Sequence, residues 1–392
     1  MWIYFDQCML HGEVSGAVTT PLDHSLFHPA IRHLWVHYCR GYTCVHGPIT
    51  RPFSGLTALA PIFNYAAAMI EFAVLFLVII VLLYCLQQRI REVPLPYYDG
   101  RYVIITGCDT GFGNLLAKKL DSKGFSVFAG CLTNNGEEEL KKVCSKKLQT
   151  FPLDVSDEES IRKALSFVTS QLPDDTGIWC LVNNAGIAGS IGPTEWHTRD
   201  DYKKVMAVNL YGIIDMTNAF LFLIRKEKGR IVNMTSICGR ITLAPTPYCA
   251  SKYAAEAYSD CLRRDLYKEG VTVHIIEPGY FATNITDASK TGSLMRSAFE
   301  KCDAEVKAYY GESFLKESIE KGFKFLRIVT NNNPGLVVDA YLNAVCSRYP
   351  AHRYVVGFSA QFFYRILWTI PERLSDFILC SQRPLPAKFG KS

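Results

Sequence analysis

Between residues 102 and 276, short apolar runs alternate with longer amphipathic stretches, and few architectures accept that order. The runs are YVIIT (102–106), SVFAG (126–130), QTFPL (149–153), WCLVN (179–183), RIVNM (230–234) and VTVHII (271–276). Strands this continuously apolar must be covered on both faces, and a parallel sheet with helices on either side provides that cover. The stretches 112–123, 157–172, 199–226 and 249–268 supply the helices. The pattern predicts a doubly wound α/β fold with a parallel sheet.

With 49% hydrophobic residues the chain can bury a sizeable core. Its charge of +5 arises from 42 basic and 37 acidic residues without a dense basic run, which argues against nucleic acid as a partner. The fourteen cysteines are scattered without paired spacing, so they read as reduced thiols and not as a disulfide framework. His33, His37, Cys39 and Cys44 are residue types that ligate zinc, but their spacing follows no common ligand pattern, and no metal is expected.

Phe72 to Leu86, FAVLFLVIIVLLYCL, carries no charge and lengthens toward Tyr65 if Glu71 sits near an interface. A bilayer core needs roughly 20 apolar residues in a helix. The sequence beyond, QQRIREVPLPYYDG, has no small-residue cleavage site, so 69–90 reads as a retained single membrane anchor. Residues 1–68 show no helical or strand period and read as an extension outside the functional unit, with Met69 at the start of the anchor. Arg89, Arg91 and Arg101 follow the anchor, against Arg51 before it, which places the main domain in the cytoplasm. Asn284-Ile285-Thr286 and Asn233-Met234-Thr235 are sequons that matter only if the domain faces a lumen.

The first strand runs into TGCDTGFG (106–113) and then a helix. Gly107, Gly111 and Gly113 let such a turn pass close to a pyrophosphate at a helix amino terminus. Further on, TPYCASKYAAEAYSD (246–260) sets Tyr248 four residues before Lys252. One helix face then holds both, and a nearby ammonium favours an ionised phenol, although any amphipathic helix produces the same spacing.

TGCDTGFG, NNAG (183–186), VNLYG (208–212), VNMTS (232–236), YCASK (248–252) and EPGYFAT (277–283) stand in the order found in short-chain dehydrogenases/reductases, which the chain resembles. The longer stretches NLLAKKLDSKGFSVFAGCLT and YSDCLRRDL are similar to the membrane-bound retinol dehydrogenase and 17β-hydroxysteroid dehydrogenase type 6 branch. The likeness spans about residues 69–388. It implies a Rossmann-type NAD-binding core over 97–283 and a helical substrate cover over 284–392 that associates with the membrane. In that pattern Tyr248 is the acid/base, Lys252 lowers its pKa and holds the nicotinamide ribose, Ser236 hydrogen-bonds the substrate oxygen, and Asn209 supports a proton relay. The resemblance further implies cofactor contacts from Gly107, Asp109, Gly111, Phe112 and Gly113, and from Asn183, Ala185 and Gly186 under the cofactor. Asp154 and Val155 would flank the adenine, Pro278 and Gly279 would approach the nicotinamide, and Thr283 would reach its amide. Asp154 also fits a helix N-terminal residue.

The second strand ends at Cys131, neither the acid that grips ribose hydroxyls nor the base that accepts a phosphate. Asp109 and the lack of Arg or Lys in the glycine turn favour NAD over NADP. Residues 359–379, aromatic and amphipathic with Arg365, Glu372 and Arg373, fit a helix on a membrane surface, a cover over an apolar tunnel, or a plain packed helix. The reading is an anchored oxidoreductase of the endoplasmic reticulum acting on a lipophilic alcohol, a retinoid or hydroxysteroid, with membrane lipid and a second copy of the chain as partners. Its rivals are a 3-hydroxybutyrate-type hydroxy acid dehydrogenase, an inactive NAD-binding sensor or scaffold, and a lipid carrier without a nucleotide.

Overall fold

The computed structural model describes residues 60–389. The histidines and cysteines before residue 50 therefore lie outside the described residues, as does most of the N-terminal extension. The eleven cysteines among the described residues are all unpaired.

Helix α1 (Ala60–Arg91) is 32 residues long and carries no charge between Glu71 and Arg89. No residue of its stretch Ala68–Arg91 is buried, and 24 residues at 1.5 Å each give about 36 Å, enough for a hydrocarbon core of about 30 Å. This is a candidate membrane anchor. The other helical stretch of comparable length, Arg199–Lys226, is partly buried within the α/β unit and serves as core.

The α/β unit follows in chain order as β1 (Tyr102–Thr106), α2 (Gly111–Ser122), β2 (Ser126–Cys131), α3 (Asn134–Val143), β3 (Leu148–Pro152), α4 (Glu158–Gln171) and β4 (Cys180–Asn183). After these come α5 (Arg199–Met206), α6 (Gly212–Lys226), β5 (Arg230–Met234), α7 (Thr246–Asp265) and β6 (Thr272–Pro278). The cover and the last strand are α8 (Ala288–Glu300), α9 (Ala304–Val329), α10 (Gly335–Cys346), β7 (Arg353–Val356), α11 (Arg365–Leu367) and α12 (Glu372–Cys380). All seven strands pair in parallel, in the order β3-β2-β1-β4-β5-β6-β7. The order reverses between β1 and β4, which opens a crevice at the strands' carboxyl ends.

Apolar residues of α2, α3 and α10, such as Leu116, Leu140 and Tyr341, bury one sheet face. Those of α4, α6 and α7, such as Ile161, Phe220 and Leu262, bury the other. The doubly wound prediction therefore holds, with three differences. A seventh strand, β7, extends the sheet beyond β6. The helix expected over 199–226 runs through without a break but carries one wide turn at Ala207–Tyr211, after which Gly212 packs so closely on Val155 that a Cβ would lie 2.8 Å from its methyl. The cover helix α9 is kinked at Gly311, whose φ of +75° and close approach to Ala387 both favour glycine.

Arg230, buried at the start of β5, closes the carboxyl end of α10 by donating to the carbonyls of Ala344 (2.7 Å), Val345 (3.1 Å) and Ser347 (2.7 Å). In the segment after β7, Ala360, Tyr364 and Leu367 pack inward against Ile237, Cys238, Ile241 and Cys249. The opposite side leaves Phe358, Phe362, Ile366 and Phe377 exposed. Of the two sequons, Asn233 is wholly buried in β5 and Asn284 uses its amide within the fold, as described below.

Candidate active site

The turn from β1 to α2 is built around its glycines. Gly107 and Gly111 take φ of +69° and +65°, a region costly for other residues. A Cβ on Gly113 would stand 2.4 Å from the Gly107 carbonyl oxygen, so only glycine lets α2 start this tightly. The Thr106 hydroxyl accepts from the backbone amides of Asn184 and Ala185, both at 3.0 Å, and so locks the end of β4 against this turn.

Asp109 reaches across to the end of β2, where its carboxylate accepts from the amides of Leu132 (2.9 Å) and Thr133 (2.8 Å) and the hydroxyl of Thr133 (2.6 Å). This places negative charge where the second strand ends in Cys131. Asp154 accepts from the amide and hydroxyl of Ser156 in a tight turn, while the cap of α4 is Asp157. The helix N-terminal alternative for Asp154 is thereby set aside.

A cavity of about 300 Å³ lies in the crevice. Its walls include Gly107, Asp109, Gly111, Phe112, Asp154, Val155, Ala185, Gly186, Ser236, Tyr248, Lys252, Pro278, Gly279 and Thr283. Nearly all the residues singled out from the sequence thus meet around one space. Gly113 supports that space from behind through its contact with Gly107.

Asn183 departs from the expectation. Its side chain is buried within the sheet, donating to Asn233 (2.9 Å) and Thr217 (3.3 Å), and the wall position belongs to Asn184. Side chains alternate along a strand, so a shift of one residue at the end of β4 turns the amide from the cavity into the core. Asn184 donates to the carbonyls of Thr106 (2.9 Å) and Gly107 (3.1 Å) and accepts from the Tyr341 hydroxyl (3.1 Å).

Asn209 sits in the wide turn before α6, fully buried. Its amide oxygen accepts from the Ile187 amide (2.9 Å), and its nitrogen donates to the Ile187 carbonyl (3.0 Å) and the Ser251 hydroxyl (3.0 Å). These bonds hold the irregular segment following Gly186 against α7. Ser236 caps the short turn Ile237–Gly239, its hydroxyl accepting from the Cys238 amide at 3.1 Å.

Lys252 is buried, and its ammonium donates to the Met234 carbonyl (3.0 Å) while lying 5.7 Å from the centre of the Tyr248 ring. Burial pushes this amine down to about 8, opposed by the charge of Glu256. Burial raises the Tyr248 phenol above its ordinary value, with the Cys238 thiol adding to the effect and the Ser236 hydroxyl opposing it. The i, i+4 spacing does bring Tyr248 and Lys252 to one face. In this geometry, however, desolvation is the largest influence on the phenol, and no hydrogen bond joins the two among the described residues.

A second cavity, about 210 Å³, opens on the far side of Tyr248. It shares Ser236, Tyr248 and Gly279 with the first, and Ile237, Leu243, Tyr280, Ile285, Met295 and Phe325 give it an apolar lining. None of the described residues lining it carries a charge. The Tyr280 hydroxyl donates to the Leu243 carbonyl (2.8 Å) and ties two of its walls together. Sequence reasoning placed a cover over 284–392 but named none of these apolar wall residues. At the junction of the cover and the glycine turn, Asn284 donates to the Thr110 hydroxyl at 3.0 Å.

A shared opening between a polar groove beside a glycine turn and an apolar cavity, with a tyrosine, a serine and a lysine at the join, suits hydrogen exchange between a dinucleotide and an apolar molecule. Comparison with known proteins agrees. The family profile described as short chain dehydrogenase matches residues 101–293. The chain is 42% identical to 17-beta-hydroxysteroid dehydrogenase type 6 of Bos taurus over 315 residues, covering 80% of this chain and 99% of that protein. It is 41% identical to retinol dehydrogenase 7 of Rattus norvegicus with the same coverage, and 40% identical to dehydrogenase/reductase SDR family member 9 of Bos taurus over 311 residues, covering 79% and 97%. Among solved structures, a short chain dehydrogenase/reductase from Burkholderia phymatum in complex with NAD shares the fold with a TM-score of 0.57 at 19% identity, covering 74% of this chain and 99% of that one. One from Burkholderia cenocepacia J2315 in complex with NADP gives 0.54 at 21% identity, covering 72% and 98%. The glycines fit a dinucleotide, because side chains at 107 or 113 would collide with the backbone that forms the groove. The protein is a member of the short-chain dehydrogenase family, an oxidoreductase built around a nicotinamide dinucleotide.

Proposed function

We propose that the protein is a membrane-anchored NAD-dependent dehydrogenase that interconverts a lipophilic alcohol, a retinoid or hydroxysteroid, and its carbonyl. The observation that carries this reading is the uncharged apolar cavity sharing Ser236, Tyr248 and Gly279 with the dinucleotide groove. Relatives named as retinol and 17-beta-hydroxysteroid dehydrogenases, matched over nearly their whole length, support the substrate class. A bound dinucleotide supplies the hydride acceptor or donor. Tyr248 exchanges the hydroxyl proton, Ser236 hydrogen-bonds the same oxygen as charge develops, and Lys252 stabilises the phenolate and holds the ribose. Asn209 keeps the peptide at Ile187 in register with α7, which maintains the groove beside Lys252. A hydroxy acid dehydrogenase would need a cation for the carboxylate, and the uncharged cavity lining disfavours it.

NAD is favoured over NADP because the groove is lined by the carboxylates of Asp109 and Asp154, with Lys252 as the sole cation among the described lining residues. Asp109 adds its charge at the end of β2, where a 2′-phosphate would need a base. Arg89 and Arg91 in the last turn of α1 favour a cytoplasmic domain on the endoplasmic reticulum. The exposed Phe358, Phe362, Ile366 and Phe377 supply a face that rests on lipid.

NADH formation by the detergent-solubilised protein with all-trans-retinol, androstanediol and 3-hydroxybutyrate, each with NAD and with NADP, tests the whole reading. Turnover of a lipophilic alcohol with NAD is expected. Activity confined to the hydroxy acid would overturn the substrate class, and preference for NADP would overturn the cofactor assignment. Detergent, and neither salt nor carbonate, should extract the protein from membranes.

A further inference from the structure

Helix α7 continues its functional face one turn past Lys252, to Glu256. This carboxylate is 95% buried, and its Oε1 has no hydrogen-bond partner among the described residues. Its Oε2 is shared between Arg353 on β7 and, at 3.4 Å, Arg240 beyond the Ser236 turn. The same two guanidiniums meet Glu277, at the end of β6, at 2.6 and 2.9 Å. Arg353 also reaches Asp260 at 2.7 Å, and Asp260 pairs with Arg263 toward solvent. The Thr235 hydroxyl, just past β5, donates to the Ile276 carbonyl at 3.0 Å. The turn after Ser236 lies flat on α7, since a Cβ on Gly239 would come within 2.9 Å of both Glu256 Cγ and the Lys252 carbonyl oxygen. The two elements that carry Ser236, Tyr248 and Lys252, the turn Ile237–Gly239 and α7, therefore meet at Glu256.

We propose that Glu256 is a positioning residue for the dehydrogenase reaction, its carboxylate keeping the Lys252 ammonium charged inside the groove. This rests on the assignment of Tyr248 and Lys252 as the proton-transfer pair. Lys252 is the buried cation with a single recorded acceptor, and a carboxylate one helical turn away on its own face opposes the loss of its proton. Burial and Glu277 push Glu256 up to about 7 against the pull of Arg353. The position of the Lys252 amine near 8 already includes the pull of Glu256, so loss of this carboxylate lets Lys252 release its proton at lower pH.

The test is the pH profile of kcat/KM and of NADH affinity for the full-length solubilised protein, comparing Glu256→Gln, Glu256→Asp and Glu277→Gln. Glu256→Gln should move the alkaline limb of both profiles down by about one pH unit, roughly a ten-fold loss on that limb. Glu256→Asp should move it less, and Glu277→Gln, which breaks the same arginine cluster, should lower activity uniformly with the limb in place. A limb unmoved in Glu256→Gln, or moved equally in Glu277→Gln, overturns the proposal. Should Glu256→Gln not fold, Glu256→Asp decides alone, with an unmoved limb counting against it. Tyr248→Phe separates the two levels. If that variant keeps turnover, the proton-transfer assignment fails. If it is inactive while the limb stays fixed in the Glu256 variants, only the role of Glu256 fails.

Discussion

The two cavities that meet at Tyr248 are built differently. The dinucleotide groove is shaped by backbone: glycines at 107, 111 and 113, amides bonded to Thr106, and a carboxylate from Asp109 bonded to Leu132 and Thr133. The apolar cavity is shaped by side chains drawn from separate stretches of the chain, including Leu243, Tyr280, Met295 and Phe325. A wall made of backbone tolerates little change, whereas a wall made of side chains can be altered one residue at a time. One half of the site should thus be uniform in what it binds and the other adjustable.

The sharpest way to break this contrast is at the join. Tyr248→Phe should lower kcat by roughly a thousand-fold while leaving NADH affinity within a few-fold, measured by steady-state rates and fluorescence titration. On the backbone side, Gly113→Ala should cost about 1–3 kcal/mol of stability and remove most dinucleotide binding, read from thermal melts with and without NADH. On the side-chain side, Phe325→Ala should lower kcat/KM for the lipophilic alcohol about ten-fold and leave dinucleotide affinity unchanged. The smallest effect is expected from Tyr280→Phe, which leaves the Leu243 carbonyl unpaired. A loss of about 1 kcal/mol and a modest rise in KM would sharpen the contrast, and a large loss of dinucleotide binding would blur it.

The same contrast governs what the sequence discloses. Glycines and strand periodicity are local signals that located the parallel sheet and the groove, while most residues around the groove came from the family resemblance carried by six ordered motifs. Strand β7 escaped because it is four residues long and its pairing with β6 depends on a segment about 75 residues away. The exchange of Asn183 for Asn184 turns on a single residue of strand parity, which composition cannot resolve. The bond from Asp109 to Thr133 and the walls of the apolar cavity are long-range events with no periodic signature. The raised Tyr248 phenol was hidden for a related reason, since spacing reports which residues are neighbours but says nothing of the water they lose.

The short bond between Asn284 and Thr110 sets a rule for anyone who would re-engineer this enzyme. Asn284 opens the substrate cover, and Thr110 is the residue just before α2 in the glycine turn. Grafting the cover of a relative onto this chain, in order to exchange one alcohol for another, also rewrites a contact on the dinucleotide turn. On the proposed function, substrate range and coenzyme affinity would be linked through this bond, and a library that varies residue 284 would sample both at once.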